Sequence, residues 1–197
     1  MSATVNTMMR QMARWEPGAR GRLEEAAFAL YAERGYEQTT VAEIAERAGL
    51  TERTFFRHFA DKREVLFSGA DALQDALVTA VADAPAAAPP IEAAAMGIQA
   101  IAALLPSRAI ARRRQEIISA NPELQERELI KLARLAAALA DALRRRGVQD
   151  PAAGLTAETG IAVLRVAFEH WLRHDSNPHF EDSVREAIAE LRTVAAS

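Results

Sequence analysis

Residues 40–66 read TVAEIAERAGLTERTFFRHFADKREVL, and the capping signals in this stretch decide the fold. Thr40 and Glu43 form a capping box, in which each side chain accepts a hydrogen bond from the other residue's backbone N–H. A helix over 41–47 follows, with Ile44, Ala45 and Ala48 as a narrow apolar face. Gly49 supplies the left-handed residue that ends it, Leu50 plugs the corner, and Thr51 caps a second helix over 52–59. Asp61 and Glu64 start the next helix in the same manner. A helix, a three-residue glycine turn and a second helix make the helix-turn-helix pattern.

Outward from this stretch, apolar residues recur at helical spacing. Leu23, Ala27, Leu30 and Tyr31 make one set, Val65, Ala72, Leu73 and Leu77 a second, and Leu132, Leu135, Leu139 and Leu143 a third. Strand-like alternation and Asn-Gly or Asp-Gly hairpin signals do not occur, and Ala and Leu, strong helix formers, dominate. The reading is all-α, with helices over 21–33, 41–47, 52–59, 62–82, 91–105, 107–119, 122–146, 152–174 and 181–195. Gly35, Pro85 through Pro90, Pro106, Pro122, Gly147 with Pro151, and Pro178 separate them. Residues 1–20 read as a flexible arm carrying Arg10 and Arg14, 21–66 as a three-helix domain holding the helix-turn-helix, and 67–197 as a larger helical bundle. The helix over 62–82 is expected to bridge the two domains.

Composition narrows the classes. With 197 residues the chain can bury a core, and half of it is hydrophobic. The absence of cysteine excludes disulfide frameworks, thiolate metal sites and cysteine nucleophiles. Four histidines without a catalytic motif give no reason to expect an enzyme or a cofactor. No signal-peptide pattern is present, and the longest apolar run, 93–105, is too short to span a bilayer, so a cytoplasmic protein without a membrane partner is expected. The net charge of −3 does not advertise nucleic acid, yet residues 1–66 balance ten Lys/Arg against ten Asp/Glu, and a local basic stripe suffices.

A helical wheel of 52–59, at about 100° per residue, supplies that stripe. Phe55 and Phe59 fall on the core side, Arg53, Thr54 and Arg57 opposite, and Phe56 and His58 at the flanks. Arginine suits guanine O6/N7 or phosphate, and threonine suits phosphate or a thymine methyl. Lys62 adds a point charge for another phosphate, where its loss would lower the salt slope of binding by about one.

Residues 22–66 resemble the DNA-binding domain of TetR-family transcriptional regulators. The resemblance rests on the Tyr31-Ala-Glu-Arg-Gly-Tyr36 segment, Thr39-Thr40, Ile44-Ala45, Ala48-Gly49-Leu50-Thr51, Thr54, Phe56, His58-Phe59 and Lys62. It implies that Thr40, Thr51, Thr54, Phe56, His58 and Lys62 sit where phosphates or base edges are contacted. Phe56 departs from the tyrosine common at its position and has no hydroxyl to offer. The resemblance further implies a homodimer that binds double-stranded operator DNA, as a repressor, and is released by a small-molecule effector bound in the C-terminal bundle.

The bundle sequence fits that scheme. Ile161, Leu164, Phe168, Trp171 and Leu172 form a wide apolar face on 152–174, with Val163 and Ala167 opposite. Val163, Ala167 and His170, with Val184, Ile188 and Leu191 of the last helix, are the expected dimer interface. Ile101, Leu105, Ile117, Leu135, Leu139, Leu164, Phe168 and Trp171 are the expected effector contacts, for a hydrophobic ligand such as a fatty acyl compound. His170 and His174, with Asp175, His179 and Glu181 close behind, have metal-ligand spacing but read better as helix C-terminal or interface residues. Arg112-Arg113-Arg114 reads as a solvated face or as a partner for an anionic head group, and Arg144-Arg145-Arg146 as cations opposing the dipole at their own helix end. The competing reading is an all-α ligand-binding module without operator regulation. If the bridging helix transmits the signal, effector binding changes the spacing of two recognition helices set one DNA turn, ~34–36 Å, apart.

Overall fold

The computed structural model describes residues 18–174 and 179–196 and is all-α, with no strand among those residues. Ten helices are described: α1 (Ala19–Arg34), α2 (Val41–Arg47), α3 (Glu52–His58), α4 (Lys62–Leu66), α5 (Ala70–Asp83), α6 (Pro90–Ala102), α7 (Arg108–Ser119), α8 (Pro122–Arg145), α9 (Ala152–Arg173) and α10 (Phe180–Ala196). The chain divides into two compact units, one ending at Phe67 and one beginning at Ser68. Arg10 and Arg14 lie outside the described residues. The expected arm is also shorter than 1–20, because Ala19 and Arg20 already belong to α1.

The first unit forms as its caps dictate. Thr40 Oγ accepts from Glu43 N while Glu43 accepts from Thr40 N at 2.9 Å, completing the capping box of α2. Gly49, at φ +65°, lets Leu50 N reach back to Ala45 O at 2.8 Å and closes α2 in a Schellman turn. Thr51 caps α3 through Thr54 N, and Asp61 caps α4 through Arg63 N and Glu64 N. Leu23, Ala27, Leu30, Ile44, Phe55, Phe59 and Val65 then bury against one another as the core of the three-helix unit and α4.

The expected helix over 62–82 is not continuous. It ends at Leu66, and α5 starts afresh at Ala70 behind Gly69, whose φ of +86° is left-handed backbone that other residues rarely adopt. The expected single bridging helix is thus two helices with a glycine turn between them.

In the second unit, α5 packs on α6 and α8, and α9 packs on α6, α7, α8 and α10. Gly97 permits the closest approach: a Cβ there would sit 2.8 Å from both Leu77 Cδ1 and Val81 Cγ2. Arg146, at the end of α8, donates to the carbonyls of Val81, Ala84 and Pro85 at 3.1, 2.8 and 2.7 Å. Its charge therefore serves the C-terminus of α5 as well as that of its own helix, a non-local cap that dipole arguments on α8 alone do not reveal. No described helix is long and apolar enough to cross a membrane.

The capping box makes stability depend on pH. The Thr40 backbone N–H and hydroxyl, and then Arg34, hold the Glu43 carboxyl below its usual range. A carboxyl depressed by folding contributes stability that is present at neutral pH and is lost as pH falls through its folded value. Urea melts of the wild type are expected to lose this component below about pH 4.3, the ordinary glutamate value. Glu43→Gln should flatten that acid limb, and an unaltered limb would refute the assignment.

Candidate nucleic-acid interface

The expected DNA contacts gather on and around α3. Phe55 is fully buried and Phe59 nearly so, their rings 5.4 Å apart, and they fix the inward face of this seven-residue helix. The Arg20 guanidinium lies 5.2 Å over the Phe59 ring, bracing it from α1. Such a short helix has little stability of its own, so this packing and the Thr51 cap hold it in place.

The outward face carries Arg53, Phe56 and Arg57, all exposed, with Glu52 at the helix start. Among the described residues, neither the Arg53 nor the Arg57 side chain makes an ion pair or a hydrogen bond. Other arginines of the same unit are committed. Arg34 pairs with Glu43 at 2.7 Å, Arg47 grips both oxygens of Glu33, and Arg63 pairs with Asp61. The reading face thus keeps two uncompensated guanidiniums while neighbouring charges are neutralised in place.

Thr51 and Thr54 share a hydroxyl–hydroxyl contact of 3.1 Å beside these arginines, and Thr40 is exposed at the start of α2. His58 is half-buried, and its Nε2 is buried with no hydrogen-bond partner among the described residues. One edge of that imidazole therefore faces the domain interior, which the wheel did not indicate.

Lys62 does not present a free charge. Its ammonium donates to the carbonyls of Tyr36, Glu37 and Thr39 at 2.9, 3.2 and 3.0 Å and stands 4.4 Å from the centre of the Tyr36 ring. Three N–H donors meet three carbonyls, so the expectation of a phosphate clamp gives way to a staple joining α4 to the α1–α2 loop. Tyr31 closes the same junction by donating from its hydroxyl to Lys62 O at 2.7 Å, and burial pushes that phenol well above its usual range.

Among the expected effector contacts, Ile101, Leu135, Leu139, Leu164 and Trp171 are buried in one apolar cluster, with Leu105 and Phe168 packed at its edge. Ile117 is half-buried and outside that cluster, and its fully buried neighbour Ile118 lies outside it as well. The Trp171 indole N–H is buried with no hydrogen-bond partner among the described residues. A separate cleft of about 560 Å³ lies between α5 and α8, lined by Gln74, Asp75, Val78, Thr79, Ala138, Asp141 and Arg145, none of them an expected effector contact. Arg114 pairs with Glu128 at 3.0 Å and Arg112 donates to Leu172 O at 2.7 Å, so these two are engaged within the bundle and not held ready for an anionic head group.

Four of the six expected dimer residues need correction. Val163, Ala167, Val184 and Ile188 are buried in the protomer's own core, and Leu191 packs at its edge, because α10 and neighbouring helices cover both faces of α9. His170 is exposed, its ring stacked on His174 at 4.2 Å; Asp175 lies outside the described residues.

Known proteins agree with this architecture. A family profile described as "Bacterial regulatory proteins, tetR family" matches residues 23–68, and one described as "MftR C-terminal domain" matches residues 88–196. The transcriptional regulator TcmR of Streptomyces glaucescens is 39% identical over 82 residues, 42% of this chain and 36% of that protein. The transcriptional repressor KstR2 of Mycobacterium tuberculosis is 47% identical over 47 residues, 24% of each chain. The matched stretches thus span about a third or less of these curated relatives. In fold, the chain is similar to the fatty acid degradation regulator FadR of Bacillus halodurans, with a TM-score of 0.59 at 19% identity over 88% of this chain and 94% of that one. A TetR transcriptional regulator of Nitrosomonas europaea aligns over 92% of this chain and all of its own, with a TM-score of 0.58 at 16% identity. From its helix-turn-helix unit through its C-terminal bundle, the chain belongs to the TetR family of bacterial regulatory proteins.

Proposed function

We propose that this protein is a transcriptional repressor that binds double-stranded operator DNA through α3 as a homodimer and leaves it on binding a small hydrophobic effector. The observation that carries the proposal is the pair Arg53 and Arg57, exposed and uncompensated on a capped helix braced by Phe55 and Phe59. A ligand-binding module without operator regulation gives no physical reason for that surface. The expected phosphate and base-edge contacts are Thr40, Thr51, Thr54, Phe56 and His58 with the two arginines, and Lys62 positions the unit they belong to.

The effector reading draws support from the apolar cluster of Ile101, Leu105, Leu135, Leu139, Leu164, Phe168 and Trp171, contributed by several helices of one core. The buried Trp171 N–H offers one donor to a ligand acceptor there. An effector acts only through its different affinity for DNA-competent and DNA-incompetent forms, with a usual coupling of about 1–3 kcal/mol.

For the dimer, the exposed stripe of α9, which His170 shares at four residues past Val166, takes the place of the four buried residues. Leu155, Ala162 and Val166 recur at spacings of seven and four, which align them on one side of the helix, and Leu155 and Val166 are 65% and 57% exposed. Covering them by a second copy removes that apolar surface from water.

Three outcomes test this. If Arg53 or Arg57 grips a guanine, its change to Ala costs about 1–3 kcal/mol of operator binding and relaxes preference at one position. Unchanged affinity in both variants sinks the assignment. Lys62→Met should lower the melting temperature and operator affinity while leaving the slope of log K against log salt as in the wild type. A slope reduced by about one would restore the phosphate contact. Val166→Glu should shift the protein from dimer to monomer in light scattering, and a dimer that persists removes the α9 stripe from the interface.

A further inference from the structure

We infer that Phe56 is a specificity residue that reads the C5-methyl group of a thymine in the operator. The inference rests on the reading that α3 enters DNA. Phe56 is 54% exposed, whereas its neighbour Phe55 is fully buried. The core of the first unit is therefore filled by Phe55 and Phe59 without it. On the helical wheel Phe56 falls about 80° from the Arg53–Arg57 midline, on the shoulder opposite Thr54. Its ring meets Phe55 edge-on, with centroids 5.5 Å apart and planes at 84°, so an apolar contact steadies the ring while its outer part stays bare.

The chemistry of the ring selects its partner. A phenyl group neither donates nor accepts a conventional hydrogen bond, so it satisfies no phosphate oxygen and no polar base edge. In the major groove the apolar group that marks a base is the thymine methyl, absent from adenine, guanine and cytosine. Phenylalanine can also act as a wedge between base steps, but wedges work from the minor groove, and the second helix of a helix-turn-helix lies in the major groove. The guanidiniums of Arg53 and Arg57 seek acceptors nearby, so the preferred site combines guanine or phosphate contacts with a thymine offset from them.

The test starts from operator DNA selected out of a random duplex pool by the full-length wild-type protein. Each thymine of the selected site is then replaced by deoxyuridine, which removes the methyl and leaves the Watson–Crick pairing. The wild type should show one thymine per half-site where this weakens binding about fourfold, the affinity equivalent of withdrawing one methyl group from water. Phe56→Ala should bind more weakly overall and be indifferent to deoxyuridine at that position, whereas Phe56→Tyr should retain the discrimination. A wild-type protein that binds every deoxyuridine site as well as the parent overturns the inference without any variant. So does an equal penalty at the same thymine in wild type and Phe56→Ala. Failure of the pool to enrich any sequence would instead overturn the DNA-binding reading beneath it.

Discussion

A seven-residue helix can present side chains to a ligand only if something outside it fixes its position, and here the junction at Lys62 completes that restraint. Phe55 and Phe59 set which face of α3 turns inward, but two rings alone leave the helix free to pivot on them. Asp61 caps α4 immediately after α3, and the ammonium of the next residue ties that cap to three carbonyls of the α1–α2 loop. The Tyr31 hydroxyl returns a bond to the Lys62 carbonyl, so the junction is held from both sides. Charge-assisted bonds of this kind are stronger than neutral ones. They also consume the charge, and for that reason the lysine is a poor phosphate ligand and a good positioning residue.

The second unit uses cations in the same way. Arg146 reaches past its own helix to the carbonyls that end α5, and Arg114 meets Glu128 between α7 and α8. Burial lowers the affinity of the Arg114 guanidinium for its proton, and the Glu128 carboxylate opposes that loss. Around Leu139 and Trp171 the apolar cluster carries the buried indole N–H, with the Arg108 guanidinium 5.3 Å over the Trp171 ring.

What the sequence made legible was local. Capping boxes, the Gly49 turn and proline breaks act over three to five residues, and the helices they bound were readable to within a few positions. The staple at Lys62 was not, because its partners lie 23 to 26 residues away and a carbonyl advertises nothing in the sequence. The dimer residues failed for a related reason. A wheel shows that α9 is apolar on two sides but not whose atoms cover the second side, and α10 of the same chain does so. Ile117 and Ile118 differ by one step, or about 100° of helix, which adjacent isoleucines cannot resolve by type. The break before α5 was legible in principle, since Gly69 is available to a left-handed turn, but the apolar period runs through it undisturbed.

Charge shows why a protein with a net charge of −3 can still bear a nucleic-acid surface. Screening confines the field of exposed charges to about 10 Å at moderate salt, so the sum over the molecule matters less than the pairing within one face. Arg34, Arg47 and Arg63 are each matched by a carboxylate at contact distance. Among the described residues, Arg53 and Arg57 have no such match. Two arginines of the same kind could bind many duplexes, because phosphates are everywhere along DNA. Selectivity needs a group that is indifferent to phosphate, and on this face the exposed side chain with that property is Phe56.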